Sequence, residues 1–154
     1  MRNFADALQA IAATLWVGGL WVIGFAVAPV LFSILPDRAL AGLLAGKLFG
    51  LMAWIGIGCA SYLIFFRFAR YGAAALRQSV LWVVLLMLGL ACVGEFGVQP
   101  VMAALKEQAL PALVMESRFR DRFATWHALS TSLYVLQSLL GLALIFFLNR
   151  KNIV

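Results

Sequence analysis

Four long stretches without a charged side chain alternate with short segments in which the charges cluster. The uncharged stretches cover residues 7–36, 48–66, 78–94 and 123–149. Each is close to or above the roughly 20 residues that a helix needs to cross about 30 Å of hydrocarbon. The strands of a membrane barrel would instead alternate polar and apolar residues in segments of about ten. The pattern therefore predicts an all-α integral membrane protein, a four-helix transmembrane bundle.

Prolines and charges indicate where the predicted helices begin and end. Pro36 is expected to end the first helix, Asp37 is suited to cap the second, and Pro100 is expected to end the third. We expect a single transmembrane domain over residues 1–154. Its predicted helices cover about 5–35, 38–69, 78–99 and 120–149, with a further amphipathic segment at 101–109.

The composition agrees with a membrane protein and argues against other classes. Hydrophobic residues make up 65% of the 154 residues and charged residues 12%, against about 45–50% and 25% in soluble domains. The net charge of +6 comes from basic residues scattered at segment ends, where they contact lipid headgroups and orient the chain. The bilayer is therefore the expected partner, and nucleic acid is not. Each side of the four predicted spans has six basic residues, but those on the side of the two termini lie closer to the helix ends, which favours cytoplasmic termini.

The ionisable side chains of Glu95 and His127 lie within the third and fourth predicted helices. Glu95 lies about 26 Å along the third helix from Arg77, and His127 lies five residues into the fourth helix from Arg122. Both are therefore expected at a similar depth, near the outer leaflet. Ionisable groups inside a membrane are costly and usually mark a functional site.

Other polar residues are expected at the same level or on the same helix face. These are Lys47, Gln99, Ser130 and Tyr134. Such a site would carry protons, or would bind a soft metal ion through His127 and Glu95, with Cys92 and Met102 as further candidate ligands. The plainer alternative is that these groups hydrogen-bond between helices and only hold the bundle together.

Small residues in the second predicted helix indicate close helix packing. Gly42, Gly46 and Gly50 recur every four residues, which allows two backbones to approach closely. This stripe would serve either internal packing or an interface between copies of the chain. Pro29 predicts a kink near the end of the first helix.

Three stretches, at residues 16–50, 94–106 and 122–143, together resemble a known family. It is the bacterial branch of the transmembrane-protein-205-like family, a domain of unknown function, which is distantly similar to the copper-resistance CopD superfamily and its heme-dependent oxidase. The residues in its signature stretches are Trp16, Gly19, Pro29, Phe32, Gly46, Phe49, Glu95, Gln99, Pro100, His127 and Ser130. The resemblance implies a bacterial inner membrane and raises copper and heme as cofactors. A single histidine excludes bis-histidine heme ligation within one chain.

Three functions are compatible with these observations. The first is a small multi-pass membrane protein that handles or transports a metal ion or small solute through the polar site. The second is a structural or accessory subunit of a larger membrane assembly, and the third is a heme-associated redox protein. No nucleotide-binding, zinc-binding or nucleophile motif occurs in the sequence, so no catalytic residue is predicted and an enzyme is disfavoured. Four helices are few for a transporter, so a homo-oligomer is expected.

Overall fold

Helices account for nearly all of the residues that this computed structural model describes, 2–110 and 112–150, and none of these residues forms a strand. The α-helices are α1 Arg2–Val22, α2 Ala28–Ile34, α3 Arg38–Tyr71, α4 Ser79–Cys92, α5 Gln99–Ala109 and α6 Arg120–Asn149. Two π-helical segments, Ile23–Val27 and Val93–Val98, join α1 to α2 and α4 to α5. Short 3₁₀ turns lie at Gly72–Arg77 and Val114–Glu116.

Four continuous helical stretches are long and apolar enough to cross a membrane. They are Phe4–Ile34, Arg38–Arg77, Ser79–Ala109 and Arg120–Asn149. The prediction of an all-α, four-helix transmembrane protein is therefore confirmed.

The third span differs from the predicted helix, which was expected to end at Gln99. Instead the helix continues through Pro100 to Ala109, so the predicted amphipathic segment belongs to the span. The physical reason is the π-helical segment Val93–Val98, after which Pro100 lies in the first turn of α5. A proline is tolerated there because first-turn amides need no acceptor within their own helix. Pro29 lies in the first turn of α2 in the same way.

Asp37 forms the predicted cap at the start of α3. Its Oδ1 accepts hydrogen bonds from the amides of Ala39 at 2.8 Å and Leu40 at 3.1 Å. These amides belong to the first turn, where donors have no partner within the helix. The cap fixes the tight connection between α2 and α3.

Replacing the cap is expected to weaken this connection. Asp37→Ala should lower the free energy of unfolding by about 1 kcal/mol, because two first-turn amides lose their acceptor. The measurement is unfolding in detergent, followed by circular dichroism. Ser33→Ala is the matched control, since the Ser33 hydroxyl bonds only to the Val30 carbonyl of its own helix. Equal stability of the two variants would contradict the assigned cap.

One end of the bundle, here called the closed end, contains the start of α1 and the connection between α3 and α4. All four spans pack together in this half, around a buried apolar core. Arg70 forms an ion pair with Asp6 at 2.6 Å, and the Arg67 guanidinium donates to the Gln78 side chain at 2.8 Å. The core consists of Trp16, Val17, Leu20, Met52, Cys59, Ala60, Leu63, Val80, Val84, Met87 and Leu144.

The opposite end, here called the open end, contains the connections at residues 35–37 and 110–119. Here α2 packs on α3, and α5 packs on α6. Within the described residues, the backbones of these two pairs show no comparable approach to each other. By their backbone contacts the helices of this end therefore form two pairs, and we call the region between the pairs the central cleft.

A candidate polar site at the floor of the central cleft

Tyr134 of α6 forms the floor of the central cleft. Its ring packs edge-on against Phe49 of α3, with 4.8 Å between the ring centroids. Its hydroxyl donates a hydrogen bond of 2.6 Å to the Leu20 carbonyl of α1. The ring also lies so close to Gly24 that a Cβ atom there would overlap it. One side chain thus connects three helices at the level where the two pairs begin to diverge.

Glu95 lies at the same floor, on the π-helical segment Val93–Val98. A Cβ atom on Gly50 of α3 would lie 3.7 Å from Oε2 and 3.8 Å from Oε1 of Glu95, so the carboxylate rests against the glycine. The side chain is half-buried. It forms no hydrogen bond or ion pair with any residue in the described part of the chain. An unpaired carboxyl group within a membrane-spanning helix costs free energy, which makes Glu95 a candidate functional residue.

Lys47 and Gln99 lie farther toward the open end. Lys47 precedes Gly50 by about one turn of α3 and is exposed. Gln99 follows Glu95 by four residues and is half-buried. Neither side chain forms a hydrogen bond or ion pair within residues 2–110 and 112–150. Among the described residues, both side chains therefore lack a polar protein partner.

His127 and Ser130 lie on α6, and neither side chain forms a hydrogen bond or ion pair with Glu95. His127 is exposed, and its ring stacks on Phe123 with 6.0 Å between centroids and 11° between planes. Ser130 is half-buried. The same polar face becomes buried only farther along the helix, at Gln137 and Ser138, which are 7% and 1% exposed. The splaying of the two pairs explains why the first half of this face remains open.

The predicted metal ligands do not form a cluster in the described structure. Residues 2–110 and 112–150 contain no group of three His, Cys, Asp or Glu side chains placed to hold a metal ion. Cys59 is buried and Cys92 half-buried, and both are free thiols. Metal binding by His127 and Glu95 stays a prediction, and no ion pair joins these two residues in the described structure.

The residues predicted for helix packing have different surroundings. Gly42 faces Phe32, whose Cζ would lie 3.8 Å from an added Cβ, whereas nothing lies within 4 Å of such an atom on Gly46. Gly50 makes room for the Glu95 carboxylate, and Pro29 is exposed.

Gly24 and its position beside the floor were not predicted, although the sequence contains a signal for them. Gly24 precedes Pro29 by five residues, and Glu95 precedes Pro100 by five residues. A proline cannot donate to the carbonyl four or five residues earlier, so both prolines disturb the helix at these positions. The repeated spacing therefore marks the two π-helical segments, a type of irregularity that is frequent at functional sites.

Comparison with known proteins gives a family match but no activity. One family model, described as a domain of unknown function (DUF4149), matches residues 11–111. The match covers more than half of the chain, including Glu95, Gln99 and Lys47, and ends before α6. No curated protein and no solved structure matches the chain.

Proposed function

The chain belongs to the family of the domain of unknown function (DUF4149), and from its geometry we propose that it is a multi-pass membrane protein that handles a small cation at Glu95. The observation that carries this proposal is the unpaired carboxylate at the floor of the central cleft. A half-buried carboxylate with no protein partner gains stability from any cation that reaches it. Protons, monovalent cations and divalent cations all have the required chemistry.

The surroundings of Glu95 support reversible binding. Gly50 leaves space beside the carboxylate, and the polar side chain of Gln99 lies one turn closer to the open end. Glu95 also lies on the π-helical segment Val93–Val98, a type of helix irregularity that is frequent at functional sites. Tyr134 and Phe49 close the path toward the packed half of the bundle. A cation would therefore enter and leave through the open end, unless the floor moves.

The experiment compares proton and cation fluxes in vesicles that contain the full chain. Glu95→Gln keeps the shape of the side chain and removes its charge, so the flux is expected to fall by about tenfold or more, as for loss of a charged contact worth about 1.4 kcal/mol. Glu107→Gln is the matched control, because Glu107 is an exposed carboxylate of α5 near the same end. Three parallel flux measurements identify the cation: one detects protons with a pH-sensitive dye, one uses potassium and one uses copper.

Two results would overturn the proposal. Equal fluxes from the native chain and Glu95→Gln would show that the carboxylate plays no part. Vesicles in which the native chain produces no flux of any tested ion, from a sample that retains partner proteins in mild detergent, would favour the alternative function of an accessory subunit.

Copper or heme binding is a narrower form of the proposal and rests on the resemblance to the transmembrane-protein-205-like and CopD groups. His127 and Glu95 would supply two ligands, and the remainder would come from water or a second copy of the chain. Metal analysis and an absorption spectrum of one purified sample test both cofactors.

We also propose a homo-oligomer in the bacterial inner membrane with the closed end cytoplasmic. The two ends have equal numbers of basic residues, and the orientation is supported by the closeness of those at the closed end to the helix ends: Arg67, Arg70, Arg77 and Arg150.

A further inference from the structure

A second recess lies away from Glu95, between α5 and the start of α6. It has a volume of about 300 Å³ and is lined by Pro100, Val101, Ala104, Leu105, Gln108 and Arg122. We call it the outer groove. Four of the lining residues are apolar, and Arg122 is the charged one among them.

The outer groove faces the surrounding lipid and not the central cleft. Gln108 follows Gln99 by nine residues, about two and a half turns, so the two side chains point to opposite sides of α5. Gln99 follows Glu95 by four residues, about one turn, which puts it on the helix side of Glu95, whose carboxylate lies beside Gly50 of α3. The groove on the side of Gln108 is therefore open to the bilayer, and it is separate from the proposed cation site.

The two ends of the groove differ in polarity and in depth. Gln108 and Arg122 belong to the last turn of α5 and the first turn of α6, where the spans leave the hydrocarbon. Pro100 lies eight residues before Gln108, about 12 Å deeper. The groove thus offers a cationic group at headgroup depth and an apolar wall that continues toward the bilayer centre.

Arg122 has no protein partner to neutralise it. The side chain is exposed and forms no ion pair or hydrogen bond with any described residue. The N-terminus of α6, where Arg122 lies, adds positive potential from its unpaired amides. Asp121 is adjacent in sequence but does not line the groove. An arginine beside an apolar recess between transmembrane helices matches the chemistry of a lipid phosphate with its acyl chain.

We propose that the outer groove is a binding site for an anionic phospholipid, with the phosphate at Arg122 and one acyl chain along Leu105, Ala104, Val101 and Pro100. Gln108 donates a further hydrogen bond to the headgroup. This site belongs to the lipid-facing surface and does not depend on the cation proposed for Glu95.

The test is native mass spectrometry of the full chain in detergent, titrated with phosphatidylglycerol or with phosphatidylcholine of the same acyl chains. The native chain should retain phosphatidylglycerol more strongly. Arg122→Gln should lower that retention about fivefold, as for loss of one basic contact with an anionic lipid, and leave phosphatidylcholine unchanged. Arg122→Lys should keep most of the preference. The matched control is Arg120→Gln, which removes a charge from the same turn outside the groove.

A second variant tests the apolar wall. Ala104→Trp should fill the groove and reduce retention of both lipids, while thermal unfolding of the protein stays close to that of the native chain, because Ala104 is exposed. Equal retention of the two lipids by the native chain would overturn the proposal. An equal loss in Arg120→Gln would also overturn it, since binding would then depend on surface charge alone.

Discussion

Gly56→Leu is expected to prevent stable packing of the closed half of the bundle. A Cβ atom at Gly56 would already overlap the indole of Trp16 near Nε1, Cδ1 and Cε2. Trp16 is 0% exposed, and the surrounding core leaves its rigid ring no space to move. Overpacking a core usually costs about 1–3 kcal/mol, and a leucine against a fully buried indole should cost about 3 kcal/mol or more.

The measurement is unfolding in detergent, followed by circular dichroism and by tryptophan fluorescence. Gly58→Leu is the matched control on the same helix, since nothing lies within 4 Å of an added Cβ there. That variant should equal or exceed the native stability, because glycine costs about 1 kcal/mol in a helix interior. The double variant Gly56→Leu with Trp16→Ala should recover part of the loss. Equal stabilities of the Gly56 and Gly58 variants would contradict the packing described for this half.

Gly24→Ala is expected to displace Tyr134 from the floor of the central cleft. The added methyl group would overlap the tyrosine ring, so the hydrogen bond to Leu20 and the edge contact with Phe49 would be lost together. Loss of a buried hydrogen bond and of an aromatic contact each costs about 1 kcal/mol, which gives about 2 kcal/mol in total. The floor should also become more permeable.

A double-mutant cycle measures this effect. Tyr134→Leu removes the ring, so adding Gly24→Ala to it should cost much less than Gly24→Ala alone, with a coupling free energy of about 1 kcal/mol or more. Gly18→Ala serves as the control in the same span, because an added Cβ at Gly18 meets no neighbour within 4 Å. Additive effects of the two substitutions would show that Gly24 and Tyr134 do not share one contact.

The four-helix architecture of this chain is predictable because a charged side chain inside a bilayer costs several kcal/mol, so membrane spans are stretches without charges. The uncharged stretches locate all four spans, and Asp37 locates the start of α3 through its side-chain chemistry. Counting residues along the helices predicts Lys47 at the level of Glu95, whereas the structure places the Glu95 carboxylate beside Gly50, about one turn away.

The rotation of each helix about its own axis is harder to predict. A π-helical segment inserts one extra residue, which turns every later side chain by about 100° relative to a regular helix. The face that contains Glu95 and Gln99 therefore depends on Val93–Val98, which the sequence signals only through the position of Pro100. The exposure of His127 is a second feature that the sequence does not predict, because it depends on how far the two helix pairs diverge. That divergence results from contacts between helices and not from any local pattern.

The open end and the closed end differ in how the helices pack, so the two possible orientations of the molecule in a membrane are not equivalent. The divergence of the two helix pairs predicts that water-soluble reagents approach Glu95 from the open end, and the packed core around Trp16 predicts no route from the other face. In vesicles with randomly inserted protein, an impermeant carboxyl-modifying reagent added outside should therefore label only those molecules whose open end faces outward. The labelled fraction would measure how the chain inserted, and full labelling after the vesicles are broken would count the remainder.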